Sequence, residues 1–551
     1  MFSLRGPIMR NYTQTFKSLV VIAAAALTLS ACGGGGYSST QEAAASPSST
    51  GAAAGGTAVI GIVNPPTTLN PINPNDTAST QAISIMNDSL AVLNDKLEFE
   101  LRLADSIETE DNQTFKIHIQ DKAAWSDGTN FTTGDVEYTL KMIANPSVTS
   151  NINLSFIKGL NDSGKLDTGV SSISGFKSLD DKTFTITTKY PVEMTYFNDG
   201  FGGKVHFLPQ HVLKDTPPES LDTSPYMQNP TVTVGPFNFV KFAKDQYIQY
   251  QANPNYYLGA PKLSGLYLKI MTASNLVAQI QTGEVDTNMD RTGLIPVEDF
   301  EKVSNMTNVT SSFSPISTPV SVMFNVKKMS DPKVRKALEM AVNRQQIVDK
   351  LLKGNGEIVD GMLPSTHPFF DSSIQPYAYD PEGAKKLLEE AGWDFKQVIK
   401  FSVPVGNKVR EQASELMAAD WKSIGLQVEI QKFDFPTLVQ KLVSNDYEVG
   451  VITIPYTAEP SSVFNYFTPS SAMNFTGIND PKLTELIEKG AKETDTQARK
   501  EIYNQVQQYF HDNVPQFSMY VDKLMIVQSN TLKGKVGPDA LNQLYLWEKT
   551  E

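Results

Sequence analysis

Cysteine is almost absent. One thiol, Cys32, occurs in 551 residues, which excludes an intrachain disulfide framework and any Cys-rich zinc or iron–sulfur site. Histidine is scarce as well. His118, His206, His211, His367 and His511 are the full set, and they make no HxH or HExxH pattern. Basic residues are outnumbered, 47 Lys and Arg against 60 Asp and Glu, for a formal charge of -13. The chain therefore lacks the positive surplus of a nucleic-acid footprint. No GxxxxGK[ST] loop or GxSxG elbow is found. Ser330-Asp331-Pro332-Lys333 has the S-x-x-K form, but its KTG and SDN companions are missing and a helix cap accounts for it. The expectation is a protein that is not an enzyme and needs no cofactor or metal. What is present is enough apolar residue, 40% against 19% charged, to bury a sizeable core. At roughly 100–200 residues per domain the length suggests about three units.

The N-terminal segment reads as an address. Arg5, Arg10 and Lys17 precede an apolar run at residues 19–29 (LVVIAAAALTL), and no acidic residue occurs before Glu42. The run is shorter than the roughly 20 residues a membrane span needs, so it reads as a secretory signal. Translation could start at Met1 or Met9. Leu29-Ser30-Ala31-Cys32 resembles a bacterial lipobox, which implies cleavage after residues 1–31 and a lipid on the Cys32 thiol. Residues 32–56 are then the lipidated cysteine and a Gly/Ala/Ser linker too poor in large apolar groups to fold. Such a tether reaches about 25–30 Å, at roughly 5–6 Å × √n.

From Thr57 the texture changes. Residues 58–63 (AVIGIV) end in Asn64-Pro65-Pro66 and read as a strand and a turn. Residues 114–120 and 183–188 alternate apolar and polar, as half-buried strands do, and 247–250 and 266–270 read similarly. Three helices are announced by Asp331-Pro332, Asp380-Pro381 and Asp480-Pro481, a capping carboxylate followed by proline in the first turn. The first is expected to run to Gly354, the second to Gly392 and the third to Gly490. Further helices are expected from near Thr494 and from near Thr132, where Asp135 has capping-box spacing. Strands and helices interleave without a repeat, giving an α/β body with no clean linker after residue 56.

Several motifs carry a family resemblance. Trp125-Ser126-Asp127-Gly128-Thr129 with Phe131-Thr132-Thr133-Gly134-Asp135-Val136, Leu208-Pro209-Gln210-His211-Val212-Leu213, Val234-Gly235-Pro236-Phe237, Asn253-Pro254-Asn255-Tyr256-Tyr257, Gly283-Glu284-Val285-Asp286, and residues 331–344 and 379–393 occur in order. The set resembles the bacterial family 5 extracellular solute-binding proteins, the oligopeptide-, dipeptide- and nickel-binding lipoproteins of ABC importers. The resemblance implies a two-lobed periplasmic-binding-protein-like clamp of the class II type with an extra subdomain. Lobe I would combine 57–95, 191–310 and 516–551, with 96–190 as its subdomain; lobe II would be 311–515. The motifs themselves read as structural: Asp127-Gly128 as a tight turn, and His211 as satisfying a local hydrogen bond.

The same resemblance implies a lipid-anchored extracytoplasmic binding protein that captures peptides, with oligopeptides first, between its lobes. It would serve separate ABC permease and ATPase chains, as a monomer, without nucleic acid. The tether's composition suits the outer membrane face of a Gram-positive cell, with a Gram-negative periplasm as the other setting. Peptide-binding members pair an aspartate with the ligand amine just before a Tyr-Asn-Glu-Pro-like segment. Residues 452–461 (ITIPYTAEPS) place Tyr456 there. Either Glu459 substitutes, or the ligand is neutral, a blocked peptide or oligosaccharide, with Tyr456 and Phe464 stacking on it. Candidate contacts are Asn64, Phe324, Asn325, Tyr456, Thr457, Glu459, Phe464 and Asn474. A metal complex as ligand, or a surface receptor or adhesin without transport, are the other readings.

Overall fold

The computed structural model describes residues 55–315, 318–471 and 473–550. The signal segment, Cys32 and the tether up to residue 54 lie outside the described residues.

Two mixed sheets organise the chain. The first has seven strands in the order Val309–Phe313, Met525–Ser529, Thr287–Asn288, Thr57–Ile62, Gly265–Ile270, Tyr247–Ala252 and Phe237–Ala243. Thr57–Ile62 is central and pairs in parallel with both neighbours. Ala58, Ile60 and Ile62 are buried from one face of it, and the helix Ala273–Thr282 packs Leu276 and Ile280 into a second cluster with Val285 and Val527. A strand covered on both faces needs the near-continuous apolar run seen there. Asp286 staples the strand: its Oδ2 accepts the Val59 N–H at 2.8 Å and the Lys549 ammonium at 2.8 Å.

The second sheet has six strands, Gly356–Glu357, Gln516–Asp522, Val320–Phe324, Val449–Thr453, Val398–Pro404 and Gln427–Phe433. Helices such as Pro332–Met340, Pro381–Glu390 and Lys408–Ser423 enclose its core around Trp421, Phe401 and Phe517. A smaller antiparallel sheet of Ala104–Glu108, Thr114–Ile119, Thr183–Thr187 and Phe176–Ser178 shows the period-2 alternation in Thr114–Ile119, where Phe115, Ile117 and Ile119 are buried. Residues 197–234 contribute Phe197, Phe201, Phe207 and Val234 to the same cluster.

The chain passes between the two large sheets twice, after Phe313 and after Asp522. The crossings are bonded to each other: Ser314 N donates to Leu524 O at 2.8 Å, and Leu524 N to Ser314 Oγ at 3.0 Å. Val309–Phe313 lies in the first sheet and Gln516–Asp522 in the second, so the crossings fall a few residues beyond 310/311 and 515/516, because the strands carry their pairing right up to the boundary.

Local signals translated well where caps were explicit. Asp331, Asp380 and Asp480 each accept first-turn N–H groups, and Thr132 and Asp135 form the full capping box. Two helices differ from expectation. The one starting at Asp331 stops at Met340, and a second, Arg344–Leu351, begins with Asn343 as its cap. Asp420 holds the Asn343 N–H at 2.9 Å, which breaks a pattern whose apolar face continues. The helix from Asp480 runs past Gly490 to Lys492. Gly490 is there for space: a Cβ would stand 2.7 Å from the Tyr503 ring.

The motif residues build scaffold. Gly128 turns at φ +88, and Asp127 Oδ2 lies 2.8 Å from His211 Nε2. Tyr256 and Tyr257 both donate to Asp88 Oδ2 at 2.7 Å. Arg344 is buried between Glu339 at 3.1 Å and Asp360 at 3.0 Å.

Candidate functional site

The end of the central strand of the first sheet sets the site. Proline has no N–H to continue a ladder, and Asn64-Pro65-Pro66 releases the chain there. The segment 288–293 runs alongside. Met289 N donates to Gly61 O at 3.0 Å and Val63 N to Thr292 O at 2.7 Å. Asn288 fixes it from below, donating to Gly293 O and Met525 O and accepting from Val527 N. Arg291, in the middle, has φ 63, a left-handed conformation that non-glycine residues keep only when the surroundings impose it.

A cavity of about 470 Å³ opens between the sheets here. Val63, Asn64, Arg291 and Glu298 line it from the first lobe, Asn355 and residues 406–409 from the second, and the crossing segment 522–525 completes it. Asn64 thus sits where two lobes and their connection meet.

The second lobe presents the loop 454–460. Tyr456 is nearly buried. Burial raises its phenol, and the charges of Arg291 and Asp290 in lobe I and of Glu357 in lobe II act on it. The His367 ring meets it edge-on, centroids 6.0 Å apart. His367 Nδ1 accepts the Phe369 N–H at 3.1 Å, so Nε2 carries the proton and donates to Thr457 O at 2.8 Å. Burial pushes this imidazole down to about 4. His367 is therefore a neutral positioning group for the loop.

Polar pairs bridge the lobes. Arg499 Nη1 lies 3.0 Å from Glu193 Oε2. Ser462 Oγ donates to Asp199 Oδ2 at 2.7 Å, a carboxyl that burial pushes up to about 6. Lys408 and Glu298 meet at 3.0 Å on the exposed rim of the cavity.

The other expected contacts are placed differently. Glu459, expected as a substitute anion for a ligand amine, is 1% exposed and both its oxygens are taken by Arg499 Nη2 at 2.7 and 2.6 Å. Phe464, expected to stack on a ligand, is closed into the lobe core against Tyr503 and Phe510. Phe324 is also core. Asn325 donates to the Asn445 and Tyr447 carbonyls, and Asn474 to Ile478 O at 2.8 Å. The structure thus brings Asn64, Tyr456 and Thr457 toward the interlobe region and assigns Phe324, Asn325, Glu459, Phe464 and Asn474 bonds or packing within lobe II. Sequence reasoning missed Asp290, Arg291, His367 and Arg499. Nothing in periodicity marks them; a lone histidine or an arginine in the first turn of a helix gains its role from contacts distant in sequence.

Among the described residues no group of three or more His, Cys, Asp or Glu side chains is arranged to hold a metal ion, and no helix is long and apolar enough to cross a membrane.

The model of the bacterial extracellular solute-binding proteins, family 5 (middle region), matches residues 98–475. The chain belongs to this family. The oligopeptide-binding protein AppA of Bacillus subtilis is 24% identical over 500 residues, 86% of this chain and 88% of AppA. The structure of AppA in complex with a nonapeptide has a TM-score of 0.75 at 22% identity, covering 90% of this chain and 99% of that one. The ABC transporter substrate binding protein CtaP of Listeria monocytogenes has a TM-score of 0.80 at 21% identity, covering 90% of this chain and 100% of its own. The fold is the two-lobed clamp of family 5, mixed α/β with several sheets. The family relatives are extracellular solute-binding proteins rather than enzymes.

Proposed function

We propose that this protein is the lipid-anchored, extracytoplasmic binding subunit of an ABC importer, and that it captures oligopeptides between its lobes and delivers them unaltered to a permease. The observation that carries this reading is the cavity shared by Asn64 of one lobe and residues 406–409 of the other, beside the paired crossings at Ser314 and Leu524. Two short antiparallel connections would make a hinge, and a solute bridging both lobes would favour the closed form. AppA, bound to a nonapeptide in its own structure, supports a peptide as cargo. Extended peptides are held largely through their backbone, which suits main-chain groups near Asn64 and in the loop 453–460.

Lobe I would comprise 57–95, 191–313 and the C-terminal strands after the second crossing, 96–190 its subdomain, and 320–522 lobe II. Cys32 would carry the lipid, placing the monomer on the outer face of a Gram-positive membrane beside its permease and ATPase partners. Thermal-shift screening of the purified protein against peptide pools tests the reading. A binder at about 100 times its Kd should add about 2.7 kcal/mol of stability. Stabilisation by oligosaccharides and by no peptide would refute it.

A further inference from the structure

The helical stretch 194–202 of lobe I touches lobe II through two carboxylates. Glu193, its cap, meets Arg499 at 3.0 Å, and Asp199, within it, accepts the Ser462 hydroxyl at 2.7 Å. The two contacts differ in kind. Glu193 receives a guanidinium. Asp199, half-buried, receives only hydroxyls, and among the described residues no cation is paired with it; Lys204 acts on it from a distance. Both lobe II partners depend on one short piece of chain. Glu459 holds Arg499 and caps Pro460–Phe464, and Ser462 follows three residues later.

Asp199 also lines a cavity of about 600 Å³ between the lobes, which shares no lining residue with the cavity beside the crossings. This is therefore a second joint between the lobes, separate from the hinge. The other ionisable groups around it have partners of their own. Asp162 pairs with Lys189 at 3.5 Å, Lys492 stands 5.9 Å over the Tyr190 ring, and the Tyr190 and Tyr196 hydroxyls lie 3.5 Å apart. Tyr503 turns its hydroxyl to Glu459 at 3.4 Å, and Glu488 stands on the lobe II wall.

When the lobes part, Arg499 keeps Glu459 company inside lobe II, and Glu193 and Asp199 return to water. When they meet, Asp199 loses hydration and comes under the negative charge of Glu459 without receiving a counter-ion. Such an environment favours the neutral carboxyl. Burial accordingly pushes Asp199 up to about 6, with Glu459 adding to the rise and Ser462, Thr457 and Lys204 opposing it.

We propose that the Asp199–Ser462 contact is a proton-sensitive latch: closure of the lobes transfers a proton from solvent to the Asp199 carboxylate, so that mild acid favours the closed form and neutral pH favours opening. The closed form holds this proton more tightly than the open form, in which the carboxyl sits in water near its ordinary value of 3.8. The bias toward closure is thus complete below about pH 4 and is lost as pH rises through about 6. Between about pH 7 and about pH 5 the closed-to-open ratio should rise about tenfold, and affinity for any solute that needs the closed form by up to about the same factor. The latch goes beyond the peptide reading, since it acts on the lobes whatever the cargo.

The test is small-angle scattering of the unliganded protein between about pH 7 and about pH 5, for wild type, Asp199→Asn and Ser462→Ala. Wild type is expected to compact as pH falls below about 6. Asp199→Asn carries no charge at any pH; it should be as compact at neutral pH as wild type is in acid, and should lose the pH response. Ser462→Ala removes a donor to the carboxylate, so its compaction should begin at higher pH, a shift that loss of a merely structural contact would not produce. A wild-type radius of gyration that stays constant over this range, or a response that persists in Asp199→Asn, overturns the proposal. Should Asp199→Asn fail to fold, the Ser462→Ala profile decides alone: an onset unmoved or moved to lower pH overturns the proposal.

Discussion

Arg499 on the long helix Thr496–Asn513 reaches across the lobe boundary to Glu193, 3.0 Å away, while its other terminal nitrogen grips both oxygens of Glu459. One guanidinium therefore serves as a structural counter-ion within lobe II and as a bridge to the 193–202 segment. Its planar fork suits it for both tasks.

The two roles separate by mutation. Arg499→Ala leaves the buried Glu459 without its cation, keeping only the Ser461 N–H and the Tyr503 hydroxyl as donors, and should cost about 3–5 kcal/mol in chemical denaturation. Glu193→Gln removes the charge of the bridge while its amide oxygen can still accept the Thr195 N–H that Glu193 caps at 2.7 Å. It should weaken the closed form by about 1 kcal/mol, widening the distribution of lobe separations in solution scattering of the unliganded protein while leaving the melting temperature nearly unchanged.

His367 gives a pH prediction. Its folded-state value is held near 4 by burial, below about 6.5 for an exposed imidazole. Between these values the unfolded chain binds more protons, so the neutral ring's contribution is complete above about pH 6.5 and is lost as pH falls toward 4. His367→Gln should flatten the stability profile over this window by close to one proton, measured as the difference between the two proteins' unfolding free energies. Asp199 acts in the opposite sense, since burial raises its value to about 6. Asp199→Asn should therefore steepen the net loss of stability toward acid pH.

Asp380 caps Pro381–Glu390 by accepting the Gly383 N–H at 2.8 Å. Asp380→Ala should cost about 1 kcal/mol, with an unchanged denaturant slope.

Cys32→Ala addresses the anchor. If the thiol carries the lipid, the variant should appear in the medium or periplasm after processing. A processed variant retained on the membrane would contradict the lipid assignment.

Much of the scaffold was legible in the residues because its signals are local. Asp-Pro pairs cap three helices, the alternation in Thr114–Ile119 marks one face, and Asn64-Pro65-Pro66 ends the central strand. The break at Asn343 was hidden because it depends on Asp420, 77 residues away. The site was less legible for the same reason. Glu459 stood beside a proline in the expected loop, yet the sequence gives no sign that Arg499 occupies it. Asp290 lay four residues beyond a recognised motif, and only burial and the lack of a donor distinguish it from the stapling Asp286.

The central claim is capture of an unaltered peptide between the lobes. It is tested most directly by measuring the radius of gyration by small-angle scattering before and after adding a stabilising peptide, then analysing the released peptide by mass spectrometry. The account predicts compaction on binding and recovery of the intact peptide. An unchanged radius with a saturated site, or recovery of a cleaved product, would contradict it.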